Sequence, residues 1–166
     1  MRTLFILTVA LLTTISVSAT DGFDKLFSKY ADSDNVTSVN ISSSMLGLVS
    51  NFLGEEDKEA KELLSNIKSV KLLATEEDNP TLSRELLDLV KSSDLEELMR
   101  VNEEGSTVRI MVKEVKEIIK EVIVYVDGED ETVFINIVGD IDPAKVGEVM
   151  RTLDIDVDID GLELEE

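Results

Sequence analysis

Residues 106–140 read STVRIMVKEVKEIIKEVIVYVDGEDETVFINIVGD, and this stretch decides the fold. β-Branched residues dominate it, and clusters of charge divide it into segments of strand length. Asp127-Gly128 is a strong hairpin signal, because both residue types accept the backbone angles of a tight turn. The pattern predicts antiparallel strands over Thr107–Val112, Ile118–Val126 and Thr132–Val138. We expect their charged side chains to face solvent and their apolar side chains to face helices.

Two segments near this stretch fit either a helix or a strand. The first has apolar residues that are also spaced for a helix, namely Val115, Ile118, Ile119 and Val122. We predict a loop near Glu114–Glu117 and then a strand, because the run IVYV at 123–126 is hard to place in a surface helix. The second segment, Leu95–Val101, is helical by composition and a strand by position, and we predict a strand.

The N-terminal half alternates helices with strands. A first helix carries an apolar stripe that is expected to be core: Phe23, Leu26, Phe27 and Tyr30. Val36–Ile41 and Ile67–Ala74 are predicted strands. Between them, the serines at 42–44 cap a second helix, whose apolar face is predicted from spacing as Met45, Leu48, Val49, Phe52 and Leu53. This order of strand, helix and strand favours a right-handed parallel crossover.

Further predicted helices complete the order of elements along the chain. Glu55–Asn66 is a charged helix or helical extension, and Asn79-Pro80 starts a third helix, with Asn as its cap and Pro at its first position. Asp142-Pro143 starts a short final helix through Val146, Val149 and Met150 in the same way. The sequence therefore predicts an α+β fold with a mixed, mainly antiparallel sheet of about six strands and helices packed on one face. The predicted order is helix, strand, helix, strand, helix, four strands and helix.

The composition indicates a folded acidic domain and excludes several functions. Hydrophobic residues make up 43% of the 166 residues, too many for a disordered chain despite a formal net charge of −20. That charge disfavours nucleic acid and anionic membrane surfaces as partners; it indicates a solvated acidic surface or, alternatively, attraction to cations. Because the chain has no histidine and no cysteine, it can form no Ser-His-Asp triad, no disulfide and no typical catalytic zinc site.

Residues 1–19 are predicted to be a secretory signal peptide. Arg2 supplies its positive region, Leu4–Leu12 its apolar region and Val17-Ser-Ala19 its cleavage site. The apolar region is short and rich in threonine, which disfavours the alternative of an uncleaved membrane anchor. We expect a single domain over residues 20–153, an acidic segment over 154–166 that is an edge strand or a tail, and a periplasmic or secreted location without stable membrane insertion.

Several motifs, taken in order, resemble one family. They are FDKLFSKY at 23–30, VTSV at 36–39, LEELM at 95–99, VRIMVK at 108–113 and INIVGDI at 135–141. Together they are similar to domain of unknown function 4252, an uncharacterised extracytoplasmic family of Bacteroidetes bacteria, across nearly all of the mature chain. The resemblance implies strands at Leu95–Val101 and Ile118–Val126, and it implies no activity. The chain departs from family members that carry a lipoprotein cysteine, and its end is unusually acidic.

The most site-like motif is DIDVDIDG at 154–161. Asp156, Asp158, Asp160 and Gly161 match the first half of an EF-hand loop, in which alternate carboxylates converge on Ca²⁺. The bidentate glutamate of such a loop would fall beyond residue 166, so the ligand set is incomplete. Alternation of aspartate with isoleucine and valine also fits an edge strand with one acidic face, and we favour that strand or a tail over a calcium site.

The sequence nominates no catalytic residue and no cofactor-binding residue. We predict a non-catalytic extracytoplasmic domain that acts by binding an unknown envelope protein or a cationic ligand. The alternatives are weak Ca²⁺ binding at Asp156, Asp158 and Asp160, and hydrolysis by a pair of carboxylates. With 36 acidic residues the sequence cannot single out such a pair. The strands are expected to be scaffold, and binding is expected at the rim, the loops or the acidic end.

Overall fold

The computed structural model describes residues 19–54, 57–75, 79–103, 105–128 and 131–143. These residues form the helices α1 (Ala19–Tyr30), α2 (Ser43–Ser50), α3 (Lys58–Asn66) and α4 (Pro80–Ser92). The strands are β1 (Val36–Ser42), β2 (Ile67–Thr75), β3 (Glu96–Glu103), β4 (Ser106–Val115), β5 (Ile118–Gly128) and β6 (Thr132–Ile141). Residues 1–18 of the predicted signal peptide, the final helix predicted beyond Pro143 and the acidic segment 154–166 lie outside the described residues.

The six strands form one open sheet in the order β1-β2-β6-β5-β4-β3, with every neighbouring pair antiparallel. This confirms the predicted fold class and, as far as β6, the order of elements with the charged α3 as a separate helix. The predicted parallel crossover is wrong, because β1 and β2 pair antiparallel with Ser42 beside Ser69. α2 and α3 contact each other and turn the chain back, so that β2 begins beside the end of β1.

Hairpins join the last four strands. β3 confirms the strand that was predicted over Leu95–Val101, and β5 confirms the strand after the ambiguous segment. The predicted loop near Glu114–Glu117 narrows to a turn of two residues, Lys116 and Glu117, whose φ angles are 54° and 61°. The hairpin predicted at Asp127-Gly128 is also confirmed, because β5 pairs antiparallel with β6 and the Gly128 N–H donates to the Glu131 carbonyl oxygen at 2.8 Å.

Replacing Glu117 by glycine is expected to stabilise the fold. A side chain at positive φ costs roughly 1–2 kcal/mol, which exceeds the added entropy of an unfolded chain with glycine, so we expect a net gain of about 0.5–1 kcal/mol. Urea unfolding measures it. The control is Glu114→Gly in β4, a residue without positive φ, where glycine should instead cost about 0.5–1 kcal/mol. Equal effects at the two positions would contradict the strained turn.

One face of the sheet packs against α1 and α4. Phe23 of α1 stacks on Phe134 of β6 with ring centroids 4.6 Å apart, and Tyr125 of β5 meets Phe134 edge to face at 6.2 Å. The aromatic stripe predicted for the first helix is therefore core, as expected. The buried members of this core are Phe23, Tyr30, Leu73, Leu82, Leu86, Met111, Ile123, Tyr125 and Phe134.

The apolar face predicted for the second helix is wrong. Leu46 and Ser50 are the buried residues of α2. The predicted side chains are instead exposed at four positions: Met45 (51%), Leu48 (52%), Val49 (38%) and Phe52 (82%). The reason is the cap, since the Ser42 hydroxyl accepts a hydrogen bond from the Met45 N–H, so the helix begins directly at the end of β1. That start fixes which side of the short helix turns toward the sheet.

α3 packs on the opposite face from α1 and α4, at one end of the sheet, so the prediction that the helices pack on one face is wrong. Its Leu63 contacts a second, smaller core that contains Val112, Ile119 and Ile141. The approach is close at Gly139 of β6, where an added Cβ would lie 2.7 Å from the Asn66 carbonyl oxygen. Only glycine fits there without a backbone shift. This end of the sheet is therefore fixed in place by α3.

Candidate binding surface and polar cavity

The second face of the sheet carries two uncovered rows of aliphatic side chains beyond α3. Directly paired residues of antiparallel strands point to the same face, so the strand register defines each row. The first row runs across all six strands as Val39, Leu72, Ile135, Val124, Ile110 and Met99. The second row is Thr37, Ala74, Val133, Val126, Val108 and Val101. We call these twelve residues the open sheet face.

The open sheet face is uncharged and accessible. Eleven of its twelve residues are apolar, and Thr37 at the β1 edge is the exception. Eight are half-buried by their neighbours, and the four on the outer strands are exposed, with Val39 at 41%, Met99 at 42% and Val101 at 39%. Among the residues that the structure describes, none of the twelve belongs to either apolar core. A contiguous uncharged surface of this kind typically marks an interaction site.

Residue alternation explains why the sequence did not reveal this surface. Along β5, buried residues on the covered face alternate with half-buried Val122, Val124 and Val126 on the other. A sheet with one solvated face normally alternates apolar with polar residues, whereas strands covered on both faces are apolar throughout. The expectation that the charges of this stretch face solvent and its apolar residues face helices holds for core residues such as Ile123 and Phe134 but not for the whole stretch. It fails twice, because Val124 faces no described helix and Glu121 is buried.

A cavity of about 200 Å³ lies at the end of the sheet near Gly139, and we call it the polar cavity because four of its seven lining residues are charged. Three lysines contribute to its wall, which is unusual in a chain of net charge −20. Its lining residues are Lys68, Lys113, Val115, Lys120, Glu121, Val138 and Gly139. Only one of them, Glu121, is a carboxylate, whereas hydrolysis by paired acids needs two.

Glu121 forms a buried polar pair with Asn136. Glu121 is 2% exposed and Asn136 is fully buried. The Asn136 Nδ2 donates to the Glu121 Oε1 at 2.6 Å, and the Asn136 Oδ1 has no protein partner. Lys113 is the direct cross-strand neighbour of Glu121 on β4, but no ion pair closes between them. A buried carboxylate with a single donor is costly, so this pair calls for an explanation beyond packing.

Asp140 holds two of the lysines at this cavity. Its Oδ2 lies 2.7 Å from the Lys68 Nζ, and its Oδ1 accepts a hydrogen bond from Lys120. These bonds, with Lys120 contributing most, lower the pKa of the Asp140 carboxyl from 3.8 to about 2. The carboxylate therefore stays ionised over nearly the whole acid range and keeps the lysines in place.

Replacing Asp140 by asparagine is expected to lower stability only where the carboxylate is charged. Because the pKa is depressed in the folded state, its contribution is complete above the unfolded value of 3.8 and is lost as pH falls through about 2. Urea unfolding of both proteins at several pH values measures the difference, which should be small at this half-exposed site and should vanish near pH 2. A difference that persists below pH 2 would contradict the charge-based origin.

The family model of a domain of unknown function (DUF4252) matches residues 30–149. That range is most of the chain. The protein belongs to this family. No curated protein matches the sequence. The DUF4252 match spans the whole open sheet face and the whole polar cavity, and it ends before the acidic segment at 154.

The metal ligands predicted from the sequence lie outside the residues that the structure describes. They are Asp156, Asp158 and Asp160, so the calcium site of this DUF4252 protein stays a prediction. Within residues 19–54, 57–75, 79–103, 105–128 and 131–143, no group of three acidic residues is placed to hold a metal ion. In the same residues, no helix is long and apolar enough to cross a bilayer. Sequence reasoning missed both the open sheet face and the Glu121–Asn136 pair.

Proposed function

We propose that this protein is a non-catalytic extracytoplasmic interaction domain that binds a protein partner through the open sheet face. The partner is expected to present an uncharged aliphatic surface. The single observation that carries the proposal is the pair of cross-sheet rows, in which eleven of twelve residues are apolar and none carries a charge. This moves the expected binding surface from the rim of the domain onto the sheet itself.

The chemistry of the face determines what it can bind. Removing aliphatic side chains from water stabilises a complex by roughly 25 cal/mol per Å² of apolar surface buried. Charged and strongly polar partners would lose hydration here without receiving a hydrogen bond. A cationic ligand, one of the partners expected from net charge, therefore fits other parts of the surface better than this one.

Several features support a binding role over catalysis. The sequence has no histidine and no cysteine, the commonest general base and the strongest nucleophile. The polar cavity has a single carboxylate in its wall, Glu121, and the neighbouring Asp140 is ion-paired with Lys68 and Lys120. The extracytoplasmic location rests on the predicted signal peptide, and mass spectrometry of the mature N-terminus, expected near Thr20, tests that part.

Cysteine labelling tests whether the open sheet face is occupied in the cell. The chain contains no cysteine, so a single introduced thiol reports on one position. Val101→Cys lies within the face and Val115→Cys outside it, and the two valines have similar exposures of 39% and 44%. We expect maleimide to modify Val101→Cys at least about tenfold more slowly than Val115→Cys in cells, because a bound partner excludes the reagent.

Labelling of the two urea-unfolded variants provides the reference, since both thiols should then react equally. If Val101→Cys and Val115→Cys also react equally in cells, the face is free and the proposed function is wrong. Slow labelling at both positions would point to general inaccessibility of the domain rather than to this face, and it would likewise count against the proposal.

A further inference from the structure

We propose that the occupant of the open sheet face is a second copy of this chain, packed face to face about a two-fold axis. This inference rests on the proposed function, since it names the partner of the same surface. In a two-fold interface each copy offers the same patch, so the patch must complement itself. An uncharged aliphatic sheet meets that condition, and two such sheets pack about 10 Å apart as in a β-sandwich.

The width of the face favours a second copy over a single helix. Six strands about 4.8 Å apart make the face roughly 25–30 Å wide. The residues beyond Pro143 include Val146, Val149 and Met150, whose spacing predicts one amphipathic helix. From Pro143 to Met150 this helix has eight residues and is about 12 Å long, so it covers less than half of the face even when it lies along the rows. A second copy of the chain has an identical sheet, which is as wide as the first.

The rows also run from one sheet edge to the other. Val39 on β1 and Val101 on β3 are on the outermost strands, and both remain exposed. A ligand or helix shorter than the sheet width of roughly 25–30 Å would leave one or both of these edge residues in water. A partner that buries both edges at once must span the sheet, as a second copy does.

The size of the face predicts a weak dimer. Two rows about 7 Å apart on six strands give each copy a flat area on the order of 400 Å². Twice that area, about 800 Å², is below the roughly 1,000 Å² of a stable specific interface, so the dimer should be weak and dissociate on dilution. The interface itself holds no charge, but each copy carries a net charge of −20. Added salt should therefore strengthen the dimer, because it screens the repulsion between the two copies. Added salt would instead weaken an interface that ion pairs hold together.

Sedimentation velocity of the purified chain over a wide concentration range tests the dimer. We expect a monomer at low concentration, a dimer at high concentration and a shift toward dimer with added salt. Val39→Lys and Val101→Lys each place an ammonium in the interface twice, so each should raise the dissociation constant about tenfold or more. Val115→Lys, at an equally exposed valine outside the face, is the matched control and should leave it unchanged.

Maleimide labelling of purified Val101→Cys separates this inference from the proposed function. Protection that rises with protein concentration supports the dimer. A monomer at every concentration, with Val101→Cys protected in cells but not when purified, overturns the dimer and leaves a different protein as the partner. A monomer with Val101→Cys protected at every dilution also overturns it and assigns the face to residues 144–166 of the same chain. Free labelling both in cells and when purified overturns the dimer and the proposed function together.

Discussion

Replacing Phe134 by alanine is expected to cost the fold about 3–5 kcal/mol, the usual cost of removing a fully buried aromatic ring. Phe134 is inaccessible to solvent, stacks on Phe23 at 4.6 Å and meets Tyr125 at 6.2 Å. It therefore connects α1 to the centre of the sheet, and its loss would leave a cavity that two rigid elements cannot close. At about 2–4 °C per kcal/mol, the melting temperature should fall by roughly 10 °C.

The neighbouring residue is the matched control for this prediction. Ile135 follows Phe134 on β6 but points to the open sheet face, where it is half-buried. Truncation to alanine there removes apolar area without creating a closed cavity, so we expect a loss of about 1 kcal/mol in dilute solution. Urea unfolding of both variants measures the difference. An equal loss at the two positions would mean that the second face is already packed in the free chain, contrary to the structure.

The sequence predicts the elements well where local chemistry determines them. Asn79 and Pro80 mark the start of α4, and the Asn79 Oδ1 accepts the Leu82 N–H at 3.1 Å as a cap should. The hairpin at Asp127-Gly128 is also confirmed. In each case the signal lies within a few residues of the feature it predicts.

The sequence fails where the outcome depends on residues far apart in the chain. The spacing of Met45, Leu48, Val49 and Phe52 is that of a buried helix face, yet these side chains are exposed. The spacing identifies an apolar stripe, but the side of α2 that turns toward the sheet is set by where the helix leaves β1 and by its contact with α3. The sequence fails in the same way for Val124 and Ile135, which look like core in sequence but face no described helix. An apolar strand indicates that both of its faces need burial, without saying what buries them.

The Glu121–Asn136 pair offers the second large effect. Asn136→Leu is expected to destabilise the fold by about 3 kcal/mol, because the buried Glu121 carboxylate would lose its one protein hydrogen-bond donor. The double variant Glu121→Met/Asn136→Leu should recover this loss and match or exceed the native stability, since apolar residues of similar size need no partner in the core. Urea unfolding of the native chain, both single variants and the double variant completes the cycle.

The outcome of this cycle decides why the pair exists. If the double variant is at least as stable as the native chain, Glu121 and Asn136 are not retained for stability, and their place at the lysine-lined cavity becomes the better explanation. Glu121→Gln is the control, because its amide oxygen still accepts from the Asn136 Nδ2 without a charge, and it should stay close to native stability. If the double variant is as unstable as Asn136→Leu alone, the two side chains are structural, and the loss reflects their packing among Ile123, Met111 and Lys113 rather than an unpaired charge.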